Sequence, residues 1–451
     1  MFHSQGRWLT GLLFKNFFSS ISNIEQLKIL RLFSFTGWIL TTIIWSLIFK
    51  KWTVLLNLPK DIWLLGCLYF VCSISVCIYI GWASCMEIFL AVLAGLASSH
   101  ILFENLFKQQ MGAWLRITVG LSSLVLGIVS LFIYQNAFGV FLIPFFLRYV
   151  QGKKAKPDRI TVMGMIFYLA VYLIYYFLFK YSLSLYHLEA GNRTEIHFNL
   201  LKKISFFFSG PFPQGFSLNL LFLARSIFSQ IFYPIIFIAW LIITFKRNKE
   251  NTIITNVLFV AFILFLLALI YLPSMIAAEN FPSYRTLFAF NLAVFIMVTE
   301  SLIYLFQKEK ERKLFTWAMV AWLVLTGIYT FNFQYINPLK KEYKVLKGFV
   351  ESHYNPGVRQ VYFIRADKFL FSPEFHTQVY RDEFGAPSTY RDWVPEPIIK
   401  QMIFEITKSR KTAEEISVIQ FENAELYNQA KLALNDKSLV IDMNTLFKGH
   451  Q

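Results

Sequence analysis

The sequence predicts a mainly α-helical, polytopic membrane protein, a transmembrane helical bundle of about ten spans followed by a small C-terminal α/β domain. Three observations predict it. Of 451 residues, 56% are apolar and only 16% are charged, against about 45–50% and about 25% in soluble domains. Apolar runs long enough to cross the bilayer recur from residue 30 to residue 333. After residue 335 the apolar runs shorten and charges become frequent.

The same numbers exclude other classes. With 50 Phe and 18% aromatic residues, and a mean hydropathy of +0.50, a water-soluble fold of this size could not bury its apolar surface. Disorder, collagen and a disulfide scaffold are excluded as well. Cys67, Cys72, Cys77 and Cys85 lie in apolar stretches without a CxxC pair, so they read as small buried hydrophobes rather than disulfide or metal ligands. The net charge of +16 is not read as a nucleic-acid signal, because membrane proteins concentrate Lys and Arg in cytoplasmic loops.

A spanning helix needs about 20 apolar residues for about 30 Å of hydrocarbon. The runs that qualify are 30–49, 62–81, 83–103, 114–131, 134–150, 160–183, 221–245, 252–273, 285–306 and 314–333. Lys and Arg crowd the loops 148–159, 246–250 and 308–313, whereas 132–136 and 274–284 carry neither. The first set is therefore expected in the cytoplasm. Counting outward places both termini on the other side. Loop 184–216, with Arg193, Lys202 and Lys203, is a mild conflict with that orientation. Residues 1–29, with Trp8, Leu9, Leu12, Leu13 and Phe14 against Arg7 and Lys15, read as an amphipathic helix in the outer interface. An exported start with no exporting segment predicts that an upstream span is missing, by truncation or a misassigned start. In the tail, 361–364, 416–420 and 438–443 read as strands and 396–406 and 424–434 as helices between them. The 335–451 segment is expected outside the cytoplasm.

No GxGxxG, P-loop, HExxH or GxSxG is present, which argues against an ATP-driven machine. The informative groups are polar residues at the expected outer helix ends. Glu87, near the outer end of the third span, is a carboxylate that must face a polar cavity or a partner. It reads as a general base or sugar-hydroxyl ligand, or as a carboxylate favoured at a helix N-terminus. Tyr134, Gln135 and Asn136 form a polar turn at the same level. Loop 277–286 holds Glu279, Tyr284 and Arg285; Arg285 suits a phosphate through bidentate hydrogen bonds, with a Glu–Arg pair as the bland alternative. His3 and Arg7 could close over a headgroup, and Arg225 could face the same cavity. His187, Glu189, Arg193, Glu195 and His197 read as a solvated loop, too sparse for a metal site.

HSQGRWLTGLLF before the first span, IYIGWAS (78–84), FIYQNAF (132–138), ENFPSYRTLF (279–288) and YRDEFGAPSTYRDWVPEP (380–397) together resemble bacterial GtrII-like glucosyltransferase-domain membrane proteins, within the polytopic GT-C glycosyltransferase class. The resemblance covers nearly the whole chain. It implies transfer of a sugar from a polyprenyl-phosphate donor to a surface polysaccharide such as O-antigen, on the outer face of the bacterial inner membrane. The resemblance itself carries over no catalytic base: either it is lost with a missing N-terminus, or Glu87 or Glu279 serves, and Arg285, Tyr284, Arg7, His3, Trp82, Tyr134, Gln135 and Arg225 read as substrate-binding residues. No cofactor is implied, and a divalent metal is left open. In the class, a catalytic carboxylate, often Asp, sits in the first outer loop. Gly6-Arg7 matches the end of that loop, but no acidic residue precedes it. Asn136, where relatives tend to have Pro, is a second departure. The alternative is a transporter or flippase-like protein for lipid-linked saccharides, although no internal repeat supports it. An acyltransferase would want a paired Arg and His, and His100 is a poor candidate.

Overall fold

The computed structural model describes residues 2–449 apart from 108–111, 192–194, 197–198, 219–226, 279, 307, 378, 381–382, 384 and 431–435. The chain divides into two compact units, residues 1–20 with 29–327, and residues 21–28 with 328–451.

The first unit is helical. In chain order it contains α1 (Trp8–Phe18), α2 (Leu27–Leu55), α3 (Lys60–Cys72), α4 (Ile74–Gly81), α5 (Ile88–Phe107) and α6 (Ala113–Ile133). A 3-10 segment (Gln135–Leu142) leads into α7 (Ile143–Gly152) and α8 (Arg159–Leu185). Then follow α9 (Leu200–Ser209), α10 (Pro211–Phe216), α11 (Ile227–Arg247), α12 (Ile253–Ile270), α13 (Leu272–Ile276), α14 (Phe288–Ile303) and α15 (Glu309–Tyr329). Among the described residues, eight helices are long and apolar enough to cross a membrane, as a multi-pass membrane protein requires. They match eight of the runs read from the sequence. The other two runs take a different form. Residues 134–150 become the 3-10 segment plus the short α7, and 285–306 becomes α14, which is 16 residues long. Both are nearly enclosed: every residue of α14 but Leu302 is buried, as are Ala137 to Leu142. A helix apolar on all sides is a bundle core as readily as a lipid-facing span, so hydropathy alone does not separate them.

In lipid there is no hydrophobic drive between helices, and close packing of small residues takes over. Gly37 of α2 lies against Phe89, where a Cβ would come within 2.4 Å of ring carbons. Gly164 of α8 does the same against Phe145, at 2.3 Å. Local sequence sets the helix starts. Asp158 accepts the Thr161 amide at 3.0 Å and Thr252 accepts the Thr255 amide at 3.2 Å, the side-chain caps that orphan helix N–H groups need.

The basic loops meet at one end of this unit. Arg312 pairs with Asp61 at 2.9 Å, Arg148 with Asp158, and Arg247 with Glu300 at 2.6 Å. Asn251 Nδ2 donates to the Lys153 carbonyl at 2.8 Å. From this end α8 and α12 run the length of the unit to the 3-10 segment and α13.

The second unit holds α16 (Asn337–His353), β1 (Gln360–Ile364), α17 (Ser372–Phe375), α18 (Pro395–Thr407), α19 (Arg410–Glu414), β2 (Ser417–Phe421), α20 (Ala424–Gln429), β3 (Ser438–Asp442) and α21 (Met443–Gly449). The strands are parallel in the order β2-β1-β3. Central β1 is buried from Val361 to Ile364, the continuous apolar run expected of a parallel strand covered on both faces. Glu342 of α16 is buried and accepts four hydrogen bonds, from the amides and hydroxyls of Ser388 and Thr389, at 2.6–3.0 Å. Satisfied this fully, a buried carboxylate pins its loop rather than destabilising it.

Residues 1–29 are not one interfacial helix. α1 ends at Phe18, Asn23 caps a short turn by accepting the Gln26 amide at 2.8 Å, and 21–28 groups with the second unit. The Ile24 amide donates to Glu405 Oε1 at 2.6 Å, and Lys347 pairs with Glu25 at 2.8 Å. These partners lie far away in sequence, so amphipathic periodicity could not reveal them.

Candidate functional site

The site begins with a turn at Gly6, which has φ +69°. Only glycine takes that conformation without strain. It also leaves no room for a side chain, since a Cβ would lie 2.2 Å from Tyr175 Oη and 3.1 Å from Phe179 Cδ2. The turn delivers Arg7 to Glu87. Arg7 Nη2 meets Glu87 Oε1 at 2.8 Å, and Arg7 Nε donates to the Ile133 carbonyl at 3.0 Å. Thr10 Oγ1 donates to the same carbonyl at 2.8 Å and lies 3.4 Å from Glu87 Oε1. Ile133 ends α6, so its carbonyl has no helical partner, and a cation is favoured there. The guanidinium also sits 4.9 Å from the Tyr134 ring centre. The Glu87 side chain is 0% exposed and that of Arg7 is 18% exposed. Glu87 Oε2 is buried and has no hydrogen-bond partner among the described residues.

The neighbouring turn carries Arg285. Tyr79 Oη donates to the Arg285 carbonyl and Ser75 Oγ to the Tyr284 carbonyl at 2.6 Å, so α4 holds the backbone of this turn. The Arg285 guanidinium lies 4.6 Å from the Trp82 ring centre, a cation–π contact.

Arg7 and Arg285 line a cavity of about 460 Å³ together with Tyr134, Gln135, Asn136 and Thr286, a volume typical of a ligand site. One wall is apolar: Leu169, Leu173 and Phe179 of α8, with Ile276 of α13. Leu169 is 42% and Leu173 56% exposed, so this wall continues onto the outer face of the bundle. Gln135 Nε2 donates to the Gln5 carbonyl and to Tyr175 Oη, both at 2.8 Å. Asn136 Oδ1 accepts from Ser274 Oγ at 3.2 Å. The 3-10 turn is thereby tied to both the N-terminal turn and α13.

The structure thus gathers Arg7, Tyr134, Gln135 and Arg285 on one cavity. Glu87 stands behind Arg7 rather than on the cavity wall. Trp82 lies under Arg285. Tyr284 is buried, and the His3 ring packs edge-on to Tyr186 at 5.2 Å; among the residues described, neither lines the cavity. Glu279 and Arg225 lie outside the described residues. From the sequence, Lys203 of α9 reads only as a loop charge. It is buried, donates to the Ala277 carbonyl and, at 2.6 Å, to Asn280 Oδ1, and so fixes the segment whose Ala277 forms an isolated antiparallel bridge with Ile196. Burial pulls its ammonium below the ordinary lysine value. Tyr172 and Tyr175 were overlooked; the tyrosine-rich face of α8 was the available signal. Among the described residues, no group of three or more His, Cys, Asp or Glu is placed to hold a metal ion. No protein-family profile, no curated protein and no solved structure matches this chain.

Proposed function

We propose that the chain is a membrane glycosyltransferase that takes a sugar from a polyprenyl-phosphate donor and passes it to a surface polysaccharide or lipid-linked acceptor outside the bacterial cytoplasmic membrane. The observation that carries this reading is the pairing of two arginines with an apolar, outward-continuing wall on one cavity. A phosphate would meet Arg7 and Arg285 while its polyprenyl chain follows Leu169 and Leu173 of α8. The outer placement of the cavity rests on the basic loops at the far end of its unit, and the same charge argument reads the C-terminal domain as extracytoplasmic.

In this reaction the acceptor oxygen bonds to the anomeric carbon as the bond from that carbon to the phosphate oxygen breaks. The acceptor proton passes to a carboxylate and the phosphate departs with its electron pair. Arg7 and Arg285 stabilise the charge that grows on the departing phosphate. Phosphate is a good leaving group, so no general acid is required. Oε1 of Glu87 is engaged by Arg7, so Glu87 acts through Arg7 as a positioning residue. That leaves Glu279, a candidate from the sequence alone, as the proposed base.

Arg285→Ala is expected to lower donor-dependent glycosylation by about 10²–10³-fold, the usual cost of one preorganised charge-stabilising group. Quantifying product and the membrane level of the protein together checks it. Undiminished product at equal protein level overturns the phosphate role.

A further inference from the structure

A second polar pocket lies at the basic end of the first unit, away from the cavity above. It is small, about 10 Å³, and is lined by Lys153, Trp240 and Phe259 among others. That is room for one water-sized oxygen. Two of its lining residues carry buried donors that have no partner among the described residues, Arg247 Nε and Asn248 Nδ2. Asn248 is 5% exposed. Arg247 is held in place by Glu300 at 2.6 Å and by the Tyr304 ring at 4.9 Å. Buried donors are normally hydrogen-bonded, and leaving them unmade is costly. Glu300 compensates the Arg247 charge from one side, but among the described residues no carboxylate lines the pocket itself, so the open donors ask for an acceptor oxygen from outside the chain.

The surroundings name the acceptor. The Asn251 bond to the Lys153 carbonyl joins two basic loops, which also carry Lys154, Lys156, Lys246 and Lys249. Beside them Ile242, Ile253 and Ile254 are 63%, 75% and 72% exposed, on helices apolar enough to cross a membrane. Basic pockets between spanning helices at this level take anionic lipid headgroups.

We propose that this pocket seats one phosphate oxygen of an anionic phospholipid from the leaflet at the basic end. Arg247 Nε and Asn248 Nδ2 donate to that oxygen. Lys153 covers the rest of the phosphate, and the acyl chains run along the exposed isoleucines. The inference is independent of the function assigned to the other cavity.

The test is native mass spectrometry of the full chain, purified in detergent and titrated with phosphatidylglycerol or phosphatidylcholine. Phosphatidylglycerol is expected to bind at least about tenfold more tightly, and Asn248→Ala and Lys153→Ala each to remove about tenfold of that preference, as the loss of a charge-assisted contact does. Lys153→Ala alters only the surface and keeps the test valid if Asn248→Ala does not fold. Lys154→Ala, with the same change in net charge, should leave binding within about twofold. Equal binding of the two lipids, equal loss in all three variants, or displacement of the lipid by excess inorganic phosphate overturns the proposal.

Discussion

Replacing Glu87 with Gln is expected to destabilise the first unit by about 3 kcal/mol, the lower end of the cost of breaking a buried ion pair. The lower end applies because 18% of the Arg7 side chain remains exposed and can be solvated through the cavity. The carboxylate holds Arg7 at 2.8 Å with its own Oε2 unpartnered among the described residues, and a neutral amide would restore none of the lost charge. Thermal unfolding of the detergent-solubilised protein reads the effect. The double variant Glu87→Gln, Arg7→Met should recover part of the loss, because removing both charges leaves neither one stranded. A double variant no more stable than Glu87→Gln alone would show that the pair is not coupled.

Gly6→Ala is expected to cost about as much for a different reason. An alanine at φ +69° pays roughly 1–2 kcal/mol in the left-handed region. Its Cβ would also stand 2.2 Å from Tyr175 Oη, an overlap that costs about 1–3 kcal/mol to relieve. Relief must move either α8 or the turn that carries Arg7, and the Tyr175 bond to the Gly6 carbonyl at 3.1 Å is lost either way. The variant should therefore unfold earlier and, if the proposed function holds, lose transfer activity beyond its loss of folded protein. Tyr175→Phe makes room without restoring the turn, so Gly6→Ala, Tyr175→Phe should regain stability more than activity. Full stability in Gly6→Ala alone would mean that this turn is not as constrained as its geometry requires.

Much of this was legible in the sequence, and the limits have physical causes. The eight long helices announce themselves because lipid demands apolar residues over their whole length. α14 and the 134–150 segment are equally apolar but shorter, since enclosure by protein makes the same compositional demand as lipid. Arg7, Glu87, Tyr134, Gln135 and Arg285 stood out as polar groups at helix ends. That Arg7 takes up Glu87, 80 positions later, was not readable, because pairing is a tertiary property with no local periodicity. The same holds for Lys203 and Asn280, 77 apart, and for the clip of residues 21–28 onto α16 and α18. Glu342 was invisible for a further reason: a buried glutamate in a charged helix looks like any solvated one until its four donors are seen.

The central claim is that Arg7 and Arg285 hold the phosphate of a lipid-linked donor in the cavity beside α8. Its most direct measurement is retention of a polyprenyl monophosphate by the purified full chain, compared among wild type, Arg7→Ala and Arg285→Ala, with the dephosphorylated polyprenol as control. The phosphate form should bind at least about tenfold more tightly than the alcohol, one charge-assisted hydrogen bond or more, and each variant should erase most of that difference. Equal binding of phosphate and alcohol by the wild type, or an unaltered phosphate preference in both variants, would contradict the account.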